Sequence, residues 1–79
     1  MSTDPIRVSR REFSSEEILN RLDTGRRVIV TVEVMGVTKD VSLRKSDDTY
    51  VCDTGFKLLS YEERGEMKRC IERLRLTDD

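Results

Sequence analysis

A chain of 79 residues has room for one small domain, and with 35% hydrophobic residues and no Trp its core must be thin and aliphatic. Lys and Arg number 15 against 16 Asp and Glu, so no long-range attraction to polyanions follows from the net charge of −1. No stretch approaches the ~20 apolar residues of a membrane span, histidine is absent, and two cysteines without CxxC spacing make a poor zinc site.

Residues 1–5 read as a disordered start, without the basic and apolar segments of a signal peptide, so a cytoplasmic location is expected. Ile6-Arg7-Val8 alternates as a short edge strand would, and in the alternative to self-association it covers the edge of the first long strand. Ser14-Ser15-Glu16-Glu17 then sets a serine three residues ahead of a glutamate, just before an apolar run. That is the capping-box arrangement, in which serine hydroxyl and glutamate carboxylate each satisfy a free backbone N–H. Ser9 and Glu12 share the spacing, but Ser14 also places Phe13 and Ile18 at the positions of a hydrophobic staple. The helix is expected over residues 15 to 23 or 24, with Ile18, Leu19 and Leu22 as its stripe and Gly25 as its stop.

Val28, Val30, Val32 and Val34 alternate with Ile29, Thr31, Glu33 and Met35, the pattern of a half-buried strand. A two-residue loop at Met35-Gly36 pairs Val34 with Val37, Val32 with Lys39, Val30 with Val41 and Val28 with Leu43. One face is then apolar apart from Lys39, which can snorkel. The other collects Ile29, Thr31, Glu33, Thr38, Asp40, Ser42 and Arg44. A second loop at Ser46-Asp47 pairs Leu43 with Tyr50 and Val41 with Cys52, putting Tyr50 and Cys52 inside; a one-residue slip would substitute Val51.

Thr54-Gly55 ends the third strand, and Phe56, Leu58 and Leu59 are expected to cover one end of the core. A second capping box, Ser60-Tyr61-Glu62-Glu63, predicts a helix from Tyr61 to about Leu74, with Met67, Cys70, Ile71 and Leu74 inward. Residues 76–79 read as a disordered tail. The expected architecture is α+β: one domain over residues 1–79, a three-stranded antiparallel β-meander with two helices packed on one face, α-β-β-β-α. Its second strand would be central and its first an exposed edge.

Candidate chemistry is sparse. Cys52 and Cys70 have no histidine to serve as base and fall on core faces, where cysteine acts as a small hydrophobe; a redox pair is the alternative. Asp47, Asp48 and Asp53 lack the ligand series of a calcium loop and read as turn formers. Neither GxGxxG nor GxxxxGK is present. Arginine outnumbers lysine eleven to four, so most basic groups are planar bidentate donors. The register sets Arg27 opposite Arg44 on the wet face, a like-charge pair that an anion would relieve.

Gly25-Arg26-Arg27-Val28, Val41-Ser42-Leu43-Arg44, Tyr50-Val51-Cys52-Asp53-Thr54 and Glu66-Met67-Lys68-Arg69-Cys70-Ile71 resemble a family of short uncharacterised haloarchaeal proteins, from Ile6 to Arg73. The resemblance implies a cytosolic stand-alone domain with no assigned activity, and transfers no functional residue. The pI near 5.5 and four lysines depart from the strongly acidic balance usual in that setting.

These readings favour binding over catalysis, with no cofactor and no metal. The leading expectation is a protein-interaction module that self-associates through the edge of its first long strand, leaving Ile29 and Met35 available for contact. The alternative is nucleic-acid or anion binding through Arg26, Arg27 and Arg44.

Overall fold

Residues 5–77 are described by the computed structural model, the side chain of Val34 excepted. Seven elements follow in order: β1 (Ile6–Ser9), α1 (Ser15–Asp23), β2 (Val28–Val34), β3 (Val37–Ser46), β4 (Thr49–Asp53), β5 (Leu58–Tyr61) and α2 (Arg64–Arg73). The class is α+β, but the three-stranded meander is replaced by a five-stranded mixed sheet of order β1-β2-β3-β4-β5. The expected meander lies within it as β2, β3 and β4.

α1 begins where its capping box predicts. Glu17 N–H donates to Ser14 Oγ at 3.2 Å, and Ser14 N–H donates to Glu17 Oε1 at 3.4 Å. Ile18, Leu19 and Leu22 are fully buried, and Phe13 packs against the same core. Gly25, at φ 88, makes the left-handed step that ends the helix.

The β2–β3 hairpin has the predicted register throughout, from Val34↔Val37 to Val28↔Leu43. Met35 and Gly36 take φ of 52 and 80, the two positive angles of a type I′ turn matched to strand twist. The tip overreaches the helices, however. Met35 and Val37, the latter placed inward by its register, are largely exposed.

The β3–β4 loop is Asp47-Asp48 rather than Ser46-Asp47, so Leu43 pairs with Cys52 and Lys45 with Tyr50. The shift is two residues, which preserves the faces. Tyr50 and Cys52 are therefore buried as expected. Asp47 absorbs the turn at φ 55, a region that aspartate tolerates better than most side chains.

Two corrections concern the ends of the sheet. β1 lies parallel to β2, Ile6↔Val28 through Ser9↔Thr31, with α1 as the crossover. It covers the β2 edge from Val28 to Thr31, where self-association was expected. The cover is the alternative the sequence offered for Ile6-Arg7-Val8; its parallel direction is what the pattern did not reveal. At the other side, Ser60 does not cap a helix; Ser60 and Tyr61 belong to β5, with Leu59 opposite Cys52 and Tyr61 opposite Tyr50. A cap contributes ~1 kcal/mol, less than strand pairing combined with burial of Leu59 and Tyr61 against the core. α2 accordingly starts at Arg64, after Glu63, with no side-chain cap. Phe56 and Leu58 stand exposed instead of covering the core.

Both helices pack on one face, against Val8, Val28, Val30, Val41, Leu43, Tyr50 and Cys52. Leu76, expected in a disordered tail, is buried there too, and its carbonyl accepts from Arg11 N–H at 3.1 Å. The expectation of disorder at residues 1–4, 78 and 79 falls outside the described residues. No described helix is long and apolar enough to cross a membrane.

Candidate functional site

Where β2 begins and β3 ends, Pro5, Gly25, Arg27, Arg44, Lys45 and Ser46 line an open cleft of about 530 Å³. The register carries Arg27 beside Arg44, one step beyond the Val28↔Leu43 pair. Both guanidinium groups are exposed. Among the described residues, neither side chain makes a hydrogen bond, ion pair or ring contact.

Other basic groups nearby are held by acids. Arg7 pairs with Asp40 at 3.2 Å, Arg64 with Glu16 at 3.0 Å and Asp23 at 3.1 Å, and Lys68 with Glu16 at 3.1 Å. Lys45 is fixed at the rim of the cleft by Asp23, 3.5 Å away, and its ammonium lies 5.1 Å from the Tyr50 ring centre.

Asp23 is the hub of this support. Its carboxylate accepts from Tyr50 Oη–H at 2.6 Å and from Arg64 Nε–H at 3.1 Å. Burial works against its charge, but the Tyr50 and Arg64 hydrogen bonds and the Lys45 charge outweigh it and hold the pKa below the usual carboxylate value. The same contact, after burial, pushes the Tyr50 phenol up. One carboxylate thus joins the end of α1, the β3–β4 hairpin and the first turn of α2 behind the cleft.

The remaining sequence candidates are dispersed. Arg26 alternates with Arg27 and lines a separate shallow cleft with Ile6, Asn20, Arg21 and Thr24. Ile29 is half-buried on the helix-free face between Arg7 and Ser42. Met35, 96% exposed, occupies the hairpin tip, roughly 26 Å from Arg27 along the strand. Arg27 and Arg44 are therefore brought together, and Arg26 and Met35 are not. The contributions of Pro5, Gly25 and Ser46 had no sequence signal beyond their neighbourhood.

A second constellation lies in the core. Cys52 and Cys70 are free, buried thiols in the same core cluster, and Tyr61 packs against it. The Cys70 contact and burial push the Cys52 thiol up; the Cys52 contact, aided by Tyr61 and the charge of Arg73, holds Cys70 down against its burial. Asp47, Asp48 and Asp53 assemble no metal site, and no group of three or more candidate ligands occurs among the described residues.

A family model matches residues 1–79 from end to end. The chain belongs to that family, DUF8001, a family of unknown function. The match carries no source organism, so it extends to the family and not to the haloarchaeal setting. No curated protein and no solved structure matched the chain.

Proposed function

We propose that this DUF8001 domain is a protein-interaction module whose docking contact is a partner's carboxylate or phosphate, held between Arg27 and Arg44. The observation that carries this reading is the unrelieved cation pair in the cleft. Like charges on directly opposed strand positions cost stability, and the chain holds enough acids to neutralise them. It places those acids on Arg7, Lys45, Arg64 and Lys68 instead. Planar guanidinium forks match an oxyanion bidentately, and both arginines line the one cleft, with Lys45 at its rim already paired to Asp23. Small residues at Gly25 and Ser46 keep the entrance open.

Nucleic acid is the weaker ligand class for this cleft. The net charge gives no steering toward a polyanion, and no aromatic side chain lines the cleft for base stacking. Pairing through β2 is weaker still, because β1 occupies that edge over Val28–Thr31. Self-association, if it occurs, would use β5, where Leu58 is exposed on the outer strand.

The test is a nuclear magnetic resonance titration with inorganic phosphate and, separately, a glutamate-rich peptide at fixed ionic strength. Shifts confined to the Arg27 and Arg44 Nε–H groups and the Gly25, Lys45 and Ser46 amides are expected, and their loss in R27Q/R44Q. Uniform small shifts over all basic side chains would reject the cleft.

A further inference from the structure

We propose a second docking site, toward the opposite end of β2 and β3 from the arginine cleft: a groove that takes one large apolar side chain of a protein partner, with carboxylates flanking it. The groove exists because the helices stop short of the β2–β3 tip. Val32 and Val41 fall on the helix-covered face by their register, and the side chains that share their groove are Leu74 and Leu76, just past the end of α2. With Phe56 as a further wall, these residues leave an open space of about 210 Å³. That is below the roughly 300–1,000 Å³ of a small-molecule site, and suits a side chain better than a ligand.

Both walls are held in place by the chain's own hydrogen bonds. Arg75, at φ 57, is the left-handed residue of a Schellman cap on α2: its N–H donates to Glu72 O at 3.0 Å, and Leu76 N–H donates to Ile71 O at 3.3 Å. Arg10 Nε–H donates to the Arg75 carbonyl at 2.8 Å, and Arg11 N–H to the Leu76 carbonyl at 3.1 Å. On the other side, Thr54 N–H donates to Lys57 O and Lys57 N–H to Thr54 Oγ1, each at 3.1 Å, closing the turn that carries Phe56. Phe56 is 79% exposed. An aromatic side chain on a pinned turn offers apolar area to a partner at a small ordering cost.

Charge decides the occupant. Arg10 and Lys39 complete the lining, and no acidic side chain takes part in it. Among the described residues neither cation is paired to a carboxylate: Arg10 bonds a backbone carbonyl, and the Lys39 ammonium lies 3.9 Å from the Phe56 ring centre. A purely apolar segment leaves both charges unanswered, and a basic one is repelled. An apolar residue flanked by Asp or Glu matches the floor and the two cations together. The groove shares no residue with the Arg27–Arg44 cleft, so it stands independently of the function proposed for that cleft.

The test is a nuclear magnetic resonance titration of the full chain, at fixed ionic strength, with a capped synthetic peptide that carries a central phenylalanine between glutamates. Shifts are expected at the methyl groups of Val32, Val41, Leu74 and Leu76 and at the Phe56 ring, and they should persist in R27Q/R44Q. The same peptide with alanine at its centre, or with lysines in place of the glutamates, should produce none. Lys39 and Phe56 lie outside the core cluster, so Lys39→Glu and Phe56→Ala should both fold, and each should weaken binding about tenfold. Absence of shifts up to millimolar peptide, equal binding of either control peptide, or unchanged affinity in either variant would overturn the proposal. So would a dimer of the chain alone that buries the same methyl groups, which would give the groove to a second copy. Binding seen only in D78N/D79N would give it to the chain's own terminus and overturn the proposal too.

Discussion

On the helix-covered face of the sheet, Val8, Val30 and Val41 stand in one row across β1, β2 and β3, and Val28, Leu43 and Cys52 in the next, all buried. On the opposite face the rows read Ser9, Thr31, Asp40 and then Arg7, Ile29, Ser42, Asp53. Alternation along the same strands produces both. The difference lies in what surrounds the side chains: uniform apolar packing on the first face, and on the second charge matching around Asp40 beside the half-buried Ile29 and the buried Val51. Asp40, for example, takes Arg7 at 3.2 Å and the Thr31 hydroxyl at 3.1 Å. Against that ordered pattern, Arg27 and Arg44 line one cleft with no acidic side chain paired to either.

The contrast between the faces is largest at the centre of β3. Leu43→Ala removes a fully buried side chain that pairs with Val28 and Cys52, and should cost about 2–5 kcal/mol in urea denaturation. Its neighbour on the open face, Ser42→Ala, should stay within about 0.5 kcal/mol. Equal losses at the two positions would break the one-sided account of the core.

Asp23 sharpens the comparison, because it carries charge chemistry between the layers. Asp23→Ala should cost about 1–2 kcal/mol, mainly by leaving the Tyr50 hydroxyl without its acceptor. Because the folded pKa is depressed, the ionised carboxylate stabilises the fold above roughly pH 4, the unfolded value, and that contribution disappears as pH falls through the lower folded value. Glu16, lowered mainly by Lys68 and then Arg64, acts in the same direction. A pH–stability profile should therefore drop below pH ~4 less steeply for Asp23→Ala than for the parent chain; parallel profiles would contradict the assignment.

The two capping boxes give a smaller and cleaner contrast. Ser14→Ala should cost about 1 kcal/mol, since its hydroxyl accepts from Glu17 N–H. Ser60→Ala, exposed in β5, should cost within about 0.5 kcal/mol. Identical losses would mean that Ser60 also caps.

That pair shows how far the sequence can be read. Local signals succeeded where partners are near in sequence: the box at Ser14, the Met35-Gly36 turn, and through it every pair of β2 with β3. The Arg27–Arg44 juxtaposition came from that same register, and so did the division of faces. Signals failed where a distant partner decides. Ser60-Tyr61-Glu62-Glu63 has a helix-start spacing, but β4 offers Leu59 and Tyr61 a buried strand pairing that no local pattern displays. Ile6-Arg7-Val8 suggests a strand, and only the fold reveals that it runs parallel to β2 across a helix. Val37 faces inward by alternation, yet the helices do not extend far enough to cover it. Cys52 and Cys70 fall in one core cluster, as their places on the inner faces of strand and helix suggest.

The arginine pair provides the most direct test, with an expected effect on stability below those at Leu43 and Asp23. Thermal unfolding of the parent chain and of R27Q/R44Q should be measured with and without inorganic phosphate at constant ionic strength. Relieving the repulsion should raise the stability of the variant by about 0.2–1 kcal/mol in phosphate-free buffer, whereas phosphate should raise that of the parent chain alone. A variant no more stable than the parent, together with equal phosphate responses, would contradict the claim that Arg27 and Arg44 are kept unpaired for an anionic partner.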